Sequence, residues 1–394
     1  MDNHSIFIVA AKRTPMGNLL GSLSNLSAPD LGATAHQAAI EQSGIAPHII
    51  DEIISGCVLQ AGIGQAPARQ AAIKAGIPDH VGATTLNKMC GSGMKAVMLG
   101  ADLIKAGSAN VVLASGMESM SNAPYLLSKA RQGYRLGHGE LKDHLFLDGL
   151  EDAYDKGKLM GTFAEMTAEK FGFSREDQDR YATRSLERAL AAQKQLFFSE
   201  EITPVQVAQR HADVIISQDE GPDINKLPKI PTLKPAFKAD GTVTAANAAS
   251  ISDGAASLIL SSGIYVGREN LHPLAKIVAW ASHAQAPEWF TTAPIEAIRK
   301  VREKAGWLAS DVDLYEINEA FAVVPMAAMQ TLDLNPDIVN VNGGACVLGH
   351  PIGASGTRII VTLIYALQQR QKKRGIAALC IGGGEATAVA IELV

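Results

Sequence analysis

Cysteine is scarce. Four thiols, Cys57, Cys90, Cys346 and Cys380, are scattered over 394 residues, with no C-x-x-C pair and no histidine spaced to complete a zinc site. That usage fits a reducing compartment, in which each thiol is either core filler or chemistry. Long apolar runs are missing too: no window approaches about 20 uninterrupted apolar residues, so no membrane span is expected. The start, Met1 to Ala11, has an acid at Asp2 and only Ile6 to Ala11 before Lys12 and Arg13, the reverse of a secretory signal, and the expected location is cytoplasmic. Surplus positive charge is also lacking. Lys plus Arg total 35 against 40 Asp plus Glu, a net charge of −5, which leaves no electrostatic footprint for nucleic acid or anionic lipid. Charged residues reach only 19% against 47% hydrophobic, which excludes a disordered chain and supplies a large core. The length predicts two or three domains of about 100 to 200 residues each.

What the chain has in excess is glycine, at 36 residues, gathered into clusters. Two clusters precede helices. In "NKMCGSGMKAVMLGADLIKAG", Ser92 or Gly93 opens a helix with Met94, Val97, Met98, Ala101 and Ile104 on one face, ended by Gly107. In "NGGACVLGHPIGASGTRIIVTLIYALQQR", a helix from about Ala354 to Arg370 is apolar on nearly every side, which predicts burial on more than one face. The two ends of the chain also echo each other. "SGIAPHIIDEIISG" aligns with "AGWLASDVDLYEIN", Ser92-Gly93 with Ser355-Gly356, and "NVVLASGMES" with "AALCIGGGEA", all at nearly one offset. Such coincidence suggests a duplicated α/β unit whose two copies pack face to face. Between them, Ser121 to Ala249 reads as an inserted loop domain. Thr162 with Glu165 predicts one capped helix, running to about Phe171, and Ser174 with Asp177 a second, to about Leu196. The Pro- and Lys-rich stretch from Asp219 to Gly241 is expected to stay unpacked.

Three residues have settings suited to chemistry. Cys90 precedes an apolar helix, where unpaired N–H groups and the macrodipole favour an anion, so a thiolate is expected to form more easily. The plain alternative is a buried Cys filling space. His350 lies in "GHPIGASG", also just before a buried helix, with a surface or capping His as the alternative. If a pseudo-twofold relates the halves, thiol and base are juxtaposed. Cys380 ends the run "GIAALC" before "IGGGEA", whose bare backbone donors suit an oxyanion; otherwise it is a strand-end Cys. Cys57 and Cys346 lack such settings and read as structural.

Over almost its whole length the sequence resembles the thiolase family. "LNKMCGSGMKAV" resembles the family's nucleophile segment, "NEAFA" at Asn318 to Ala322 its Asn motif, "NVNGGACVLGHPIGASG" its His motif and "CIGGG" its second-Cys motif, in the family's order. The resemblance implies α/β class with duplicated halves in a five-layered α-β-α-β-α core. Residues 1–120, completed by about 250–272, would form the N-terminal half, 121–249 the loop domain covering the CoA site, and 273–394 the C-terminal half. It implies reversible condensation of acyl-CoA thioesters, with coenzyme A as carrier, no metal or redox cofactor, and a homodimer or homotetramer. Cys90 would match the acylated nucleophile, His350 its proton acceptor and Cys380 the acid/base at the α-carbon. Asn318 would hold a water beside His350 for the enolate, and the N–H groups of Cys90 and Gly382 would hold the tetrahedral oxyanion.

By the same resemblance, Leu150, Met160, Phe237, Ala245 and Phe321 would touch CoA or the acyl group. At the segment after "GTVTA" the chain reads "NAAS", placing Ala249 where a family Ser is common and Ser250 one further on. Gly221, Pro222 and Asp223 replace a common Arg segment, Leu159 a common His, and Glu385 and Ala386 the usual residues beyond the glycines, where Glu385 reads as a solvated carboxylate. "HPIGASG" looks like the short-chain branch, implying two acetyl-CoA converted to acetoacetyl-CoA and CoA. The alternatives are a degradative 3-ketoacyl-CoA thiolase with a longer pocket, and a non-catalytic acyl-CoA binding protein on the same scaffold. A third is a thiol redox sensor pairing Cys90 with Cys380.

Overall fold

The computed structural model describes residues 5–210 and 212–394, so the reading of Met1 to His4, including Asp2, lies outside the described residues. The chain begins with β1 (Ile6–Arg13), β2 (Gly17–Asn18), α1 (Ala28–Ser43), β3 (Glu52–Gly56), α2 (Pro67–Lys74), β4 (Gly82–Leu86), α3 (Ser92–Lys105) and β5 (Val111–Ser119). The middle segment adds the hairpin β6 (Tyr125–Leu127) and β7 (Leu141–Asp143), then α4 (Met160–Phe171), α5 (Arg175–Lys194), β8 (Val205–Val207) and β9 (Val214–Ile216). After β10 (Ser252–Ser262) and α6 (Gly263–Arg268) come β11 (Ala275–Ala284), α7 (Ala293–Ala305), β12 (Leu314–Ile317) and α8 (Val323–Leu332). Then α9 (Ala345–Leu348), α10 (Ser355–Gln369), β13 (Arg374–Ile381) and β14 (Glu385–Leu393) complete it.

The order β1-β10-β5-β3 is repeated by β11-β14-β13-β12, with the same parallel pairs, β3 with β5 and β12 with β13, and the same antiparallel ones. Each segment of the proposed repeat therefore falls on an equivalent element. Five layers follow from where apolar faces are buried. Helices α1 and α2 cover the outer face of the first sheet through Ala39, Ile40 and Ala72, and α7 and α8 cover the second through Ile298, Val301 and Val324. Between the sheets, α3 and α10 share one core in which Met94 and Val97 join Ile360 and Ile364. One feature had no sequence signal. Ile6, Phe7 and Ile8 pair with Ile277, Lys276 and Ala275, so β1 and β11 join the two sheets edge to edge into one of ten strands.

Ser92 and Ser355 open the two central helices, and the glycine after each permits their contact. A Cβ at Gly93 would sit 2.6 Å from Thr357 Oγ1, and one at Gly356 would sit 2.3 Å from the Met94 nitrogen. Helix α10 is buried without interruption from Ser355 to Leu367, as an apolar surface on every side requires.

The middle segment departs from expectation in two places. Ser174 and Asp177 do form the reciprocal cap of α5, but Thr162 and Glu165 form none, because α4 already starts at Met160. Glu165 instead accepts the backbone N–H groups of Thr242 and Val243, anchoring the loop that follows. The Pro- and Lys-rich stretch is not wholly unpacked: Ile224–Thr232 winds as 3-10 turns and buries Ile230 against α5.

Candidate active site

A tight turn presents Cys90. The Ser92 hydroxyl accepts the Lys88 N–H at 2.8 Å and donates to the Met89 carbonyl at 2.7 Å, and Met89 is held at φ +47°. A non-glycine residue in that region costs energy and persists only where surroundings over-determine it. The turn abuts the loop after β13, and a Cβ on Gly91 would lie 2.3 Å from Ile381. Across this contact, Lys88 forms an ion pair with Glu385, so that carboxylate is paired rather than simply solvated.

Cys90, His350 and Gly382 line one cleft of ≈ 550 Å³, walled by apolar side chains including Met89, Leu150, Met160, Phe290 and Phe321. Ala249 and Ser250 also face it, and Ser250 opens into a second space of ≈ 740 Å³ that carries Ala245, Cys346, Lys226 and Lys229. Of the residues expected to touch CoA, only Phe237 lies off both walls. Its ring packs on Gly161 and stands edge-on to Phe321 with centroids 6.0 Å apart, so it supports the wall from behind. Cys380, fully buried at the end of β13, is not among the residues that line this cleft, yet it is near enough to Cys90 for a charge on one sulfur to raise the other thiol.

The expectation of an easily formed Cys90 thiolate is overturned. Burial pushes the thiol up to about 11 and a nearby Glu118 adds to this, while the N–H groups of Gly382 and Cys90 itself pull only partly back. Desolvation outweighs these two backbone donors. His350 is shifted the other way, to about 3, by burial and then by the Arg358 cation. Thiol and imidazole are therefore both neutral at physiological pH. The imidazole tautomer follows from its partners. The Ser355 hydroxyl donates to the Pro351 carbonyl at 3.0 Å, so its oxygen accepts from His350 Nδ1 at 2.5 Å. That leaves the lone pair on Nε2, which has no partner among the described residues. Such a nitrogen is a base for a proton leaving Cys90.

Asn318 is buried at the end of β12, its Nδ2 3.4 Å from His350 Nδ1. The neighbouring Glu319 of the same motif is structural: its carboxylate accepts from Tyr181, Ser185, Asn340 and the Cys346 N–H, tying α5 to the second half.

Sequence reasoning missed Glu118, Arg358, Lys226 and Lys229. Glu118, buried at the end of β5, accepts the N–H groups of Val58, Leu59 and Gly353, the last three residues beyond His350, and burial raises it to about 7. It staples the His350 loop to the first half. A lone acid ending an apolar run was the available signal. Cys57 lies against Glu118 and reads as structural. Among the described residues, no group of three or more His, Cys, Asp or Glu is arranged to hold a metal, and no helix is long and apolar enough to cross a membrane.

The match with known proteins covers the chain. Residues 6–263 fit the thiolase N-terminal domain model and 271–393 the thiolase C-terminal domain model. Acetyl-CoA acetyltransferase 2 of Arabidopsis thaliana is 51% identical over 98% of this chain and 97% of its own, and acetyl-CoA acetyltransferase of Schizosaccharomyces pombe is 48% identical over 100% of both. The crystal structure of the Bacillus anthracis acetyl-CoA acetyltransferase superposes with a TM-score of 0.97 at 41% identity, covering 100% of both chains. Human mitochondrial 3-ketoacyl-CoA thiolase gives 0.95 at 39%, covering 99% of each, so the backbone does not separate the two branches. With both domain models matched in order and the duplicated fold shared, this chain belongs to the thiolase family.

Proposed function

We propose that this enzyme is an acetyl-CoA C-acetyltransferase, condensing two acetyl-CoA to acetoacetyl-CoA and CoA, reversibly. The observation that carries the reading is the neutral pair of Cys90 and His350 with the Gly382 N–H in one apolar cleft; the names of the relatives at 47–51% identity favour the short-chain branch.

In the proposed first half, the Cys90 sulfur attacks the thioester carbonyl as its proton passes to His350 Nε2. The N–H groups of Cys90 and Gly382 hold the oxyanion, and CoA leaves as the thiol, taking the proton from His350. In the second half, the Cys380 thiol yields its proton to His350, the resulting thiolate takes the α-proton of another acetyl-CoA, and the enolate carbon attacks the acetyl-Cys90 carbonyl; the departing Cys90 sulfur takes the proton back from His350. Burial and the Cys90 sulfur both hold the Cys380 thiol up. Once esterified, Cys90 can no longer ionise beside Cys380, so only burial then opposes a Cys380 thiolate.

Pantetheine would lie past Ser250 into the second space, where Lys226 and Lys229 offer cations for CoA phosphates in place of the Arg segment this chain lacks. The reading also includes a homo-oligomer. Tyr125, Leu127, Leu136 and Leu141 are exposed on and around the β6–β7 hairpin, and β4 is an edge strand, both suited to a second copy of the chain. Brief exposure to acetyl-CoA followed by intact mass and peptide mapping should find one acetyl on Cys90. Acetyl elsewhere, or none, refutes the reading. Turnover of long-chain 3-ketoacyl-CoA equal to that of acetoacetyl-CoA would refute the branch.

A further inference from the structure

Glu316 and Asn318 stand two positions apart at the end of β12 and meet the same buried side chain of α10, Arg358. Its guanidinium is 1% exposed, and Nη1 lies 3.9 Å from Glu316 Oε1. Among the described residues its one side-chain hydrogen bond runs from Nη2 to Asn318 Oδ1, at 3.4 Å. A cation this deep is unfavourable to desolvate, and the carboxyls of Glu316, Glu201 and Glu319 offset that only in part. Arg358 is also the lone charge in a helix stretch buried on every side, so neither solubility nor packing accounts for it.

Its chemistry explains its place. A guanidinium has five donors and no acceptor, so a carboxamide facing it must present oxygen. Once Oδ1 accepts from Arg358, the Asn318 NH₂ faces away on the His350 side; His350 Nδ1 already donates to Ser355 and cannot accept from it, so that donor is left for an incoming oxygen, whereas a flip would set the NH₂ against the guanidinium cation. We propose that Arg358 is a positioning residue that locks the Asn318 carboxamide with its N–H groups toward the His350 side of the site, so that the donor serving the enolate oxygen is oriented before substrate arrives. The inference rests on the Claisen reading above and concerns only its second half-reaction. Stabilisation of a developing oxyanion depends on donors fixed in advance, and loss of one such donor costs about 10²–10³ in rate. Losing its orientation alone should cost less, about tenfold.

The test separates the half-reactions. Acetylation of Cys90 by acetyl-CoA is timed by rapid quench and intact mass, and condensation of the preformed acetyl-enzyme with a second acetyl-CoA is timed separately. Arg358→Met should slow condensation about tenfold more than acetylation, Asn318→Ala should show the same selectivity, and Arg358→Lys, which keeps a donor, should restore most of the loss. If Arg358→Met fails to give a cooperative thermal melt, Arg358→Gln replaces it, since its neutral amide offers donor or acceptor and enforces neither orientation. A selective Asn318→Ala beside an Arg358 variant that slows both steps equally, or neither, overturns the positioning role while leaving the Claisen reading intact. An unselective Asn318→Ala overturns the role assigned to Asn318 and the inference with it.

Discussion

Alkylation of Cys90 in the absence of acyl-CoA should be slow at neutral pH and should climb with every unit of pH until about 11. The reason is the thiol pushed to about 11 by burial between the two halves. At pH 8 such a group is ionised to about one part in 10³, whereas an ordinary thiol near 8.5 is ionised to about one quarter. The rarer thiolate is intrinsically more nucleophilic, by about tenfold for a difference near 2.5 units at a Brønsted slope of about 0.45. The two effects together leave Cys90 about twentyfold slower than free cysteine toward iodoacetamide at pH 8. His350, near 3, stays an uncharged imidazole throughout and gives no electrostatic help. The assay follows iodoacetamide labelling by peptide mass from pH 7 to 10, with the Cys90→Ala variant as the blank for Cys57, Cys346 and Cys380. A labelling rate that plateaus below pH 8 would mean a standing thiolate–imidazolium pair and would refute the neutral-pair reasoning.

The remaining predictions concern separate parts of the molecule. Cys380→Ala should still form acetyl-Cys90 but lose condensation by about 10²–10⁴, the usual contribution of a general acid/base; normal condensation would show the assignment to be wrong. Gly356→Ala places a methyl 2.3 Å from the Met94 nitrogen and should destabilise the protein by about 1–3 kcal/mol, read as a lowered melting temperature; an unchanged melt would mean the α3–α10 contact is looser than described. His36 is buried, its Nε2 on the Ser115 hydroxyl at 3.0 Å, and burial lowers it from 6.5 to about 3. Between those values the unfolded chain binds the extra proton, so stability is present above about 6.5 and falls as pH drops toward 3. By pH 5 the loss is about 2 kcal/mol. Urea midpoints of His36→Gln and the parent should converge or cross between pH 7.5 and 5, and parallel pH dependences would rule this out.

How much of this was legible in the sequence depended on whether the signal was local. Cys90, His350 and Cys380 each stand beside glycines at the edge of an apolar segment, and those segments fall where the duplicated elements begin and end. Ser174 and Asp177 capped α5 because both partners lie within one turn, while Thr162 and Glu165, equally spaced, did not, because Glu165 found backbone donors at Thr242 and Val243 far along the chain. Glu118 and Arg358 were overlooked for the same reason: each is a single charge in an apolar element, and its partners come from segments tens or hundreds of residues away.

The order of residues alone determined the repeated α/β unit, the two central helices opened by Ser-Gly, and the Cys90 thiol and His350 imidazole brought to their starts, because periodicity and backbone sterics act over a few residues. Only the tertiary structure decided that Cys90 holds its proton, that His350 offers Nε2, and that β1 and β11 join the sheets. Proton affinity, tautomer and strand pairing are properties of what surrounds a group in space, and here those surroundings come from both halves of the chain at once.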